Sequence, residues 1–576
     1  MDRRTFLLTG LGAAGAVALG ACGDSDDDPP DDAADNGGSP STTAAGTEGT
    51  APVPRPTLRL TGISSDFGLP SPFTATALPG YLRFSLIYDT LLWQDASGEM
   101  LPWLAESFER SADAMSYSFQ LREGVLWHDG TPLTAEDVKF TFDYYATHAG
   151  ILSGFTVGAP QHVREVVVTG PSSVDINLTI PAITFEVFTA GATPIIPRHI
   201  WEGIADPTIV EDPALLVGTG AYTLDSYSAA EGSYSYDVND EYFLGRPFVE
   251  RIEFPPVADE EVLTTLLDGG VDAAETPISG VRDDVLAPFQ GDEYGIVEDP
   301  AGFMYPLYFN AGRPGPLADV AFRRAFAHAV DRQDIVDRLF GGNGEPGSPG
   351  VVPPSHPFYS EPEQYPFDVD EANRLLDEAG YTRDGDGTRA GPDGAPLRFS
   401  FLYQATASTL ADLMVPALRD VGVELVPESV DSPPGLFQRK IPGEFDIALL
   451  FYPGPVGPGP GGDPDYLRQL FGSEFANGLF SPNGYTNDRL DELTQQQLVA
   501  ADEDERMEIV AEIQDILATD VPVLPLYYAD QFFIYRNDVY DQWYFTPADY
   551  PVAAAYNKQG WITGRMTGTE IRPTED

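Results

Sequence analysis

His128 and Asp129 are adjacent in the sequence, and an imidazole beside a carboxylate could transfer protons or bind a metal ion. The chain has six histidines, however, and they are scattered with no pair at helical spacing, so a zinc site is not expected. Asp129 followed by Gly130 is typical of a tight turn, and a helix pattern comes after it. The spacing therefore favours a structural turn at residues 128–130 over a metal or acid–base site.

A second candidate is the segment 384–387, which has the Asp-Gly-Asp-Gly start of a calcium-binding loop. The twelfth position counted from Asp384 is Ala395 instead of glutamate, so the bidentate ligand is missing and a hairpin turn is predicted. The glycine-rich residues 340–345 follow a helix and lack Gly-Lys-Ser/Thr, which argues against a phosphate-binding loop. The chain also has no Gly-x-Ser-x-Gly segment. The sequence therefore predicts neither an enzyme nor a resident cofactor.

Cys22 is the only cysteine of the chain, and its thiol stands at the end of an N-terminal export pattern. Arg3 and Arg4 precede an apolar run of about 15 residues, which is typical of a twin-arginine signal peptide and too short for a transmembrane span. The small residues at 19–21 resemble a lipoprotein cleavage box. We therefore expect residues 1–21 to be removed and a lipid to be attached at Cys22, which would anchor the mature chain to the outside of the cytoplasmic membrane.

Residues 22–56 consist of Asp, Pro, Ser, Thr, Gly and Ala with almost no large apolar side chain. Such a segment cannot offset its ordering entropy, so an acidic, disordered tether is predicted. The whole chain has a formal net charge of -58, which argues against nucleic-acid binding because phosphate contacts need a basic face. Carboxylates spread along the chain favour a surface suited to high salt, and a halophilic source is a hypothesis. Attraction of cationic ligands is the alternative reading of this acidity.

The folded part mixes strand and helix patterns, which predicts the α/β class. Alternating apolar residues predict strands at residues 57–62 and 117–122. Thr134, with Asp137 three residues later, is a variant of the capping box and predicts the start of a helix.

Three further segments carry clear patterns toward the C-terminus. Apolar residues at three- and four-residue spacing after Asp319 predict a helix with a restart at Asp331 and an end at Gly341. Residues 487–518 form another amphipathic helical region. The segment 521–528 that follows contains two prolines, which predict that any strand there lies at a sheet edge or only begins there.

Seven segments keep the same order as in one known family, and they extend over nearly the whole folded part. They are LPWLAES at 101–107, LREGVLWHDGTPLTAEDV at 121–138, GTGAY at 218–222, NDEYFLGRP at 239–247, LYFN at 307–310, DVAFRRAFAHAVDR at 319–332 and YTNDRLDEL at 485–493. On these segments the chain resembles the peptide/nickel (family 5) extracellular solute-binding proteins of ABC transporters.

The resemblance implies two α/β lobes of the type II, large-cluster periplasmic-binding-protein-like fold, joined by a hinge. Lobe one would comprise residues 57–302, with an extra subdomain at about 84–217, and residues 528–576 would return to it. Lobe two would comprise residues 303–527. The resemblance also implies a monomeric receptor that encloses a small-molecule or oligopeptide ligand between its lobes. It would deliver that ligand to the permease subunits of an ABC importer.

The family also implies which residues face the ligand. From lobe one these are Asp66 and Phe67, in the loop after the first strand, and Tyr81; from lobe two they are Tyr305, Phe451 and Tyr452. Aromatic side chains suit a cleft that encloses an organic ligand, because they bury a large area at a low cost in side-chain entropy.

Peptide-binding members of the family hold the N-terminal amine of the ligand with an aspartate just upstream of an acidic residue followed by proline. In this chain Pro460 aligns with that aspartate and Asp463 with the acidic residue, and Asp463 remains a candidate ligand contact. A buried ammonium needs an acidic partner, so an oligosaccharide is an alternative to a peptide. Nickel chelates stay open as well, because they need few direct protein ligands. A surface hydrolase of peptides or glycans is the alternative from a different class.

Overall fold

The computed structural model describes the chain from residue 56 to residue 574, with gaps. The gaps are residues 62–66, 76, 95–99, 149–161, 183, 259–260, 278–279, 384–386, 432, 454–462, 477, 501 and 544–570. The predicted signal peptide, the predicted tether except Pro56, Cys22, Asp66 and Pro460 lie outside the described residues. All described residues belong to one compact unit, Pro54–Asp576.

Strands and helices are mixed along the chain, which confirms the α/β class. The strands are β1 (Thr57–Thr61), β2 (Leu92–Gln94), β3 (Met100–Pro102), β4 (Ala105–Arg110), β5 (Ser116–Leu121), β6 (Val163–Gly170), β7 (Ser173–Leu178), β8 (Tyr222–Ser228), β9 (Ser233–Val238), β10 (Arg251–Phe254), β11 (Ala273–Glu275), β12 (Tyr294–Phe309), β13 (Gly344–Pro346), β14 (Thr382–Arg383), β15 (Arg389–Ala390), β16 (Arg398–Gln404), β17 (Glu424–Val430), β18 (Ile447–Leu449), β19 (Tyr452–Pro453), β20 (Val523–Arg536), β21 (Tyr540–Asp541) and β22 (Arg572–Pro573). The α-helices are α1 (Ala77–Ser85), α2 (Ala135–Thr147), α3 (Arg198–Trp201), α4 (Val262–Leu267), α5 (Asp283–Leu286), α6 (Val320–His328), α7 (Arg332–Phe340), α8 (Val369–Glu378), α9 (Ser408–Asp420), α10 (Pro433–Lys440), α11 (Tyr466–Phe471), α12 (Asp488–Gln496) and α13 (Glu503–Asp520).

Two long strands, β12 and β20, connect the two halves of a twelve-stranded sheet whose main order is β17-β16-β18-β12-β20-β11-β1-β10-β9-β8. They pair antiparallel from Tyr294 opposite Arg536 to Tyr308 opposite Val523. β11 pairs with the C-terminal part of β20, at residues 533–535, and β18 pairs with the C-terminal part of β12, at residues 307–309. Each long strand therefore takes part in both halves of the sheet.

The ladder between β12 and β20 is interrupted between Asp299 and Phe303. Ala301 lies in this interruption with a φ of 55°, in the left-handed region that costs energy for a residue with a side chain. The lobe boundary predicted from the sequence lies between residues 302 and 303, next to the interruption. The lobe bounds themselves remain a prediction.

Successive side chains of β12 alternate between the two faces of the sheet in the half that contains β16, β17 and β18. Phe303, Tyr305 and Leu307 pack into one hydrophobic cluster with α6 to α9, whereas Met304 and Tyr308 pack into another with α10 to α13. The first half of the sheet packs its own cluster, which includes Leu58, Leu60 and Trp201. A separate four-stranded antiparallel sheet, β4-β5-β7-β6, packs against α2 within the segment predicted as an extra subdomain.

The helix boundaries that the sequence predicts are confirmed where capping residues define them. Asp137 accepts a hydrogen bond from the backbone N–H of Thr134 at 2.9 Å, at the start of α2. Asp319 and Asp331 cap the starts of α6 and α7 with the same chemistry, and Gly341 ends α7 with a φ of 68°.

The prolines near residue 525 were predicted to place any strand at a sheet edge or at the beginning of a strand. The second alternative holds, because β20 begins at Val523 with Pro525 as its third residue, and β20 lies in the interior of the sheet. Pro525 is opposite Pro306, and the register shifts between Tyr305 and Pro306. Proline has no backbone N–H, so each of the two prolines leaves one ladder hydrogen bond unmade. Because both lie opposite each other at the register shift, the missing bonds are confined to one irregular position.

Candidate functional site

β1 and β11 are neighbouring strands in the interior of the sheet, and their carboxyl ends lie side by side. The two strands are parallel, with Leu60 opposite Ala273 and Thr61 opposite Ala274. β1 leads into the segment that contains Asp66, which lies outside the described residues, and then to Phe67. In open α/β sheets ligands bind in the crevice outside such carboxyl ends.

Phe67 is buried near Arg83 of α1. Its backbone N–H donates to the hydroxyl of Tyr234 at 2.9 Å. The guanidinium carbon of Arg83 lies 5.6 Å from the ring centroid of Phe67, 5.5 Å from that of Tyr234 and 3.8 Å from that of Phe254. These rings surround a buried cation, and such contacts are favourable when the cation is desolvated.

Tyr81 lies on the same helix as Arg83 and is half-buried. Its ring meets Phe84 edge-on at 4.9 Å, and burial raises the pKa of its hydroxyl. Within the described part of the chain its hydroxyl has no hydrogen-bond partner, yet the oxygen is not sealed from solvent.

Tyr305 of β12 stacks on Tyr527 of β20, with ring centroids 4.6 Å apart and planes 9° apart. The ring of Phe340 packs on Tyr527 at 4.7 Å, and Phe303 contacts Phe451 at 6.2 Å. Tyr305 is 8% exposed, and burial raises the pKa of its hydroxyl. This hydroxyl likewise has no partner among the described residues and is not sealed.

Phe451 and Tyr452, both predicted to face the cleft, pack on opposite faces of the sheet, with Tyr452 as the first residue of β19 and Phe451 directly before it. Phe451 packs against the cluster of Phe303 and Tyr305, whereas the ring of Tyr452 contacts Phe480 at 5.2 Å on the other side. Consecutive strand residues alternate between faces, which explains the separation. The hydroxyl of Tyr452 resembles that of Tyr305: burial raises its pKa, it is not sealed, and no described group bonds to it.

Asp463 accepts hydrogen bonds from both terminal nitrogens of Arg506, and the bond from Nη1 is 2.7 Å long. The same guanidinium donates to the side-chain oxygen of Gln497, and Gln497 donates to Asp465 at 2.7 Å. Asp465 in turn accepts two bonds of 2.7 Å from Arg468. Asp463 is therefore part of a buried ionic network, which fixes the orientation of its carboxylate.

Glu275 is a further candidate site residue, and the sequence alone did not indicate it. It is half-buried at the end of β11, beside the end of β1, and burial raises the pKa of its carboxyl to about 7 while Arg83 opposes the rise. No local motif marks it. The signal available in the sequence was only its place at the end of a short apolar strand.

The residues first considered for metal or acid–base chemistry have structural partners. His128 Nε2 bonds to the carbonyl oxygen of Gly220 at 2.9 Å, and the N–H of Gly218 donates to its Nδ1. Asp129 closes the turn by accepting from the N–H of Thr131, as predicted. In the part of the chain that the structure describes, no group of three or more His, Cys, Asp or Glu side chains could hold a metal ion. No helix among these residues is long and apolar enough to cross a membrane.

Residues 99–478, about two thirds of the chain, match the model of the bacterial extracellular solute-binding proteins, family 5, middle region. Protein XP55 of Streptomyces lividans is 29% identical over 476 residues, which cover 80% of this chain and 83% of the relative. The glutathione-binding protein GsiB of Escherichia coli K12 is 25% identical over 469 residues, covering 81% and 87%.

Solved structures show the same fold. NikZ from Campylobacter jejuni, in complex with Ni(L-His), superposes with a TM-score of 0.73 at 23% identity and covers 88% of this chain and 99% of its own. The chain therefore has the two-lobed architecture of these binding proteins, as the resemblance predicted.

Proposed function

Because the chain belongs to the bacterial extracellular solute-binding proteins of family 5, we propose that it is the receptor of an ABC importer. It captures a peptide or a similar organic solute between two lobes and delivers it to membrane permeases. Relatives of known specificity support this class of ligand: GsiB is a glutathione-binding protein, and NikZ was solved with a nickel–histidine complex.

The observation that carries the proposal is a set of three tyrosine hydroxyls, on Tyr81, Tyr305 and Tyr452. Each oxygen lacks a hydrogen-bond partner in the described structure, and each ring is largely enclosed. Tyrosine hydroxyls that are enclosed usually find a partner. A solute enclosed between the lobes would supply the missing partners.

β12 and β20 are well suited to act as the hinge. They pass through both halves of the sheet, and their pairing is irregular near Ala301. Hinges concentrate a change of φ and ψ in a few residues, and a ligand that contacts both lobes only when they are closed favours the closed form. In this proposal the lobes are residues 57–302 with 528–576 and residues 303–527, and residues 84–217 form the extra subdomain.

We assign the predicted contacts different roles. Asp66, Phe67, Tyr81, Tyr305, Phe451 and Tyr452 line the cleft, and Phe451 and Tyr452 reach it from opposite faces of the sheet. The carboxylate of Asp463 is bonded to Arg506 and belongs to the ionic network described above. Its contribution to binding is therefore indirect.

The receptor acts outside the cytoplasmic membrane as a monomer, and a lipid on Cys22 anchors it. Replacing Cys22 with serine should release the chain into the soluble extracytoplasmic fraction and abolish incorporation of labelled palmitate. Replacing Arg3 and Arg4 with lysine should retain it in the cytoplasm. Unchanged fractionation of both variants would contradict this placement.

The solute class is tested by thermal unfolding of the mature Cys22→Ser chain in high salt with dipeptides, oligopeptides, oligosaccharides and nickel chelates. A ligand at a hundred times its dissociation constant adds about 2.7 kcal/mol to the free energy of unfolding, which gives a clear rise in Tm. We expect peptides to stabilise the protein. Stabilisation by sugars alone would move the assignment to carbohydrate uptake, and no stabilisation by any class would contradict the receptor function.

A further inference from the structure

Glu275 occupies the edge of the sheet where a solute is expected. It is the last residue of β11, and its side chain projects to the same face as the buried Ala273. The parallel neighbour β1 ends beside it, with Thr61 opposite Ala274. Solutes of α/β sheets bind outside the carboxyl ends of such strands. The side chain therefore lies where the sheet meets the cleft.

The carboxyl group of Glu275 has no partner among the residues that the structure describes. Within the described ranges no group donates a hydrogen bond to it, and no cation lies within ion-pair distance. Arg83 is close enough to favour its charged form, but the two do not form an ion pair. The guanidinium of Arg83 is instead packed among the rings of Phe67, Tyr234 and Phe254.

A half-buried carboxylate without a partner is costly, and burial raises the pKa of this group to about 7. A cation supplied by the solute would remove that cost, because a charge-assisted hydrogen bond is about twice as strong as a neutral one. Asp463, the acidic residue that the sequence offered as a candidate ligand contact in lobe two, is already bonded to Arg506. The net charge of -58 also raises the local concentration of cationic solutes.

We propose that Glu275 is a specificity-determining residue that binds a cationic nitrogen of the solute. The inference rests on the proposed receptor function and narrows it to solutes with an ammonium or guanidinium group. That group can be a chain terminus or part of a side chain.

Isothermal titration of the mature Cys22→Ser chain in high salt tests this with matched probes. The pairs are trialanine and N-acetyl-trialanine for a terminal ammonium, and N-acetyl-Ala-Lys-Ala and its Nε-acetylated form for a side-chain ammonium. A third pair, the glucosamine trimer and the N-acetylglucosamine trimer, extends the test to sugars. We expect the cationic member of at least one pair to bind about tenfold more tightly than the neutral member.

In Glu275→Gln this preference should fall to near unity, because glutamine keeps the size of the side chain without its charge. Glu275→Asp should retain part of the preference, which guards against a folding defect in the glutamine variant. Glu293→Gln is the matched control, since it removes the same charge from an exposed position. The control should keep the full preference.

A preference that survives in Glu275→Gln, or falls equally in Glu293→Gln, would overturn the inference while the receptor function stands. The inference would also be overturned, with the receptor function intact, if the chain with Glu275 bound cationic and neutral probes equally or bound neutral solutes alone. Absence of binding by every probe and by every solute class tested above would overturn both.

Discussion

The side chain of Asp530 accepts a hydrogen bond from the backbone N–H of Ala301, with Oδ1 2.9 Å from the nitrogen. Asp530 lies on β20 and Ala301 on β12, at the interruption of their ladder. The bond satisfies a buried donor that the irregular pairing leaves out of the sheet. It therefore stabilises the strained backbone at the point that we propose as the hinge.

Burial raises the pKa of Asp530 to about 7, and the nearby Glu298 and Glu345 add to the rise. The native state therefore keeps a proton that the unfolded chain loses near pH 4. The contribution to stability is complete below about pH 4 and is lost as the pH rises through about 7.

Asp530→Asn should flatten this dependence, because asparagine still accepts from Ala301 but does not titrate. Urea unfolding at pH 5 and at pH 8 should show the variant gaining stability relative to the unsubstituted chain as the pH rises. The gain has an upper limit of about 1.4 kcal/mol for each pH unit within the window. Parallel profiles for the two proteins would contradict the assignment; Asp292→Asn, at an exposed position, is the control.

The ammonium of Lys440, at the end of α10, is enclosed and donates to the carbonyl oxygens of Gly478, at 3.0 Å, and Ser481. Its nitrogen lies 4.8 Å from the ring centroid of Tyr308. Burial lowers the pKa of Lys440 to about 7, so the native state binds fewer protons than the unfolded chain between about pH 7 and 10. Stability from this group therefore rises with pH across that window.

Lys440→Met keeps the length of the aliphatic part of the side chain but leaves the two carbonyls without their donor. We expect the free energy of unfolding to fall by about 1–3 kcal/mol at pH 9.5. The difference should be smaller at pH 7, because burial of the charged lysine already destabilises the unsubstituted chain there. Chemical denaturation at the two pH values measures it. A difference that is constant with pH would show that Lys440 does not titrate in this window.

Asp463 and Arg506 should be strongly coupled, since Arg506 is 6% exposed and its guanidinium serves both Asp463 and Gln497. Arg506→Met should cost about 3–5 kcal/mol of unfolding free energy, because it leaves an enclosed carboxylate without its cation. A double-mutant cycle with Asp463→Asn, followed by urea unfolding, should give a coupling of about 0.5–3 kcal/mol. Additive losses would mean that the two side chains act independently.

Local signals predicted the helices well. Asp319, Asp331 and Gly341 bound two successive helices through caps that need only a few neighbouring residues. Thr134 and Asp137 do the same for α2. The free energy of such caps is local, so a single sequence carries it.

The sheet interior was harder to predict because its partners are distant in sequence. Pro525 lies at the beginning of β20, as the local rule allows, but the interior position of β20 depends on its neighbours β12 and β11, and Pro306 of β12 lies opposite Pro525 from more than two hundred residues earlier. Glu275 was missed for the same reason: its significance depends on the end of β1, which precedes it by a similar distance. Phe451 and Tyr452 were assigned together, although strand alternation alone separates them.

The open hydroxyls of Tyr305 and Tyr452 lead to a prediction that separates ligand contact from core packing. In Tyr305→Phe and Tyr452→Phe the ring contacts remain, and only an oxygen without a described protein partner is lost. We expect the Tm without ligand to be nearly unchanged and the affinity for the solute to fall by about 0.5–1.5 kcal/mol for each hydroxyl that contacts it. Tyr365→Phe is the matched control, because its hydroxyl donates to the carbonyl oxygen of Ala518 at 2.7 Å in the core. This control should lower the Tm and leave affinity unchanged; the same pattern in Tyr305→Phe and Tyr452→Phe would show that their hydroxyls belong to the core and not to the cleft.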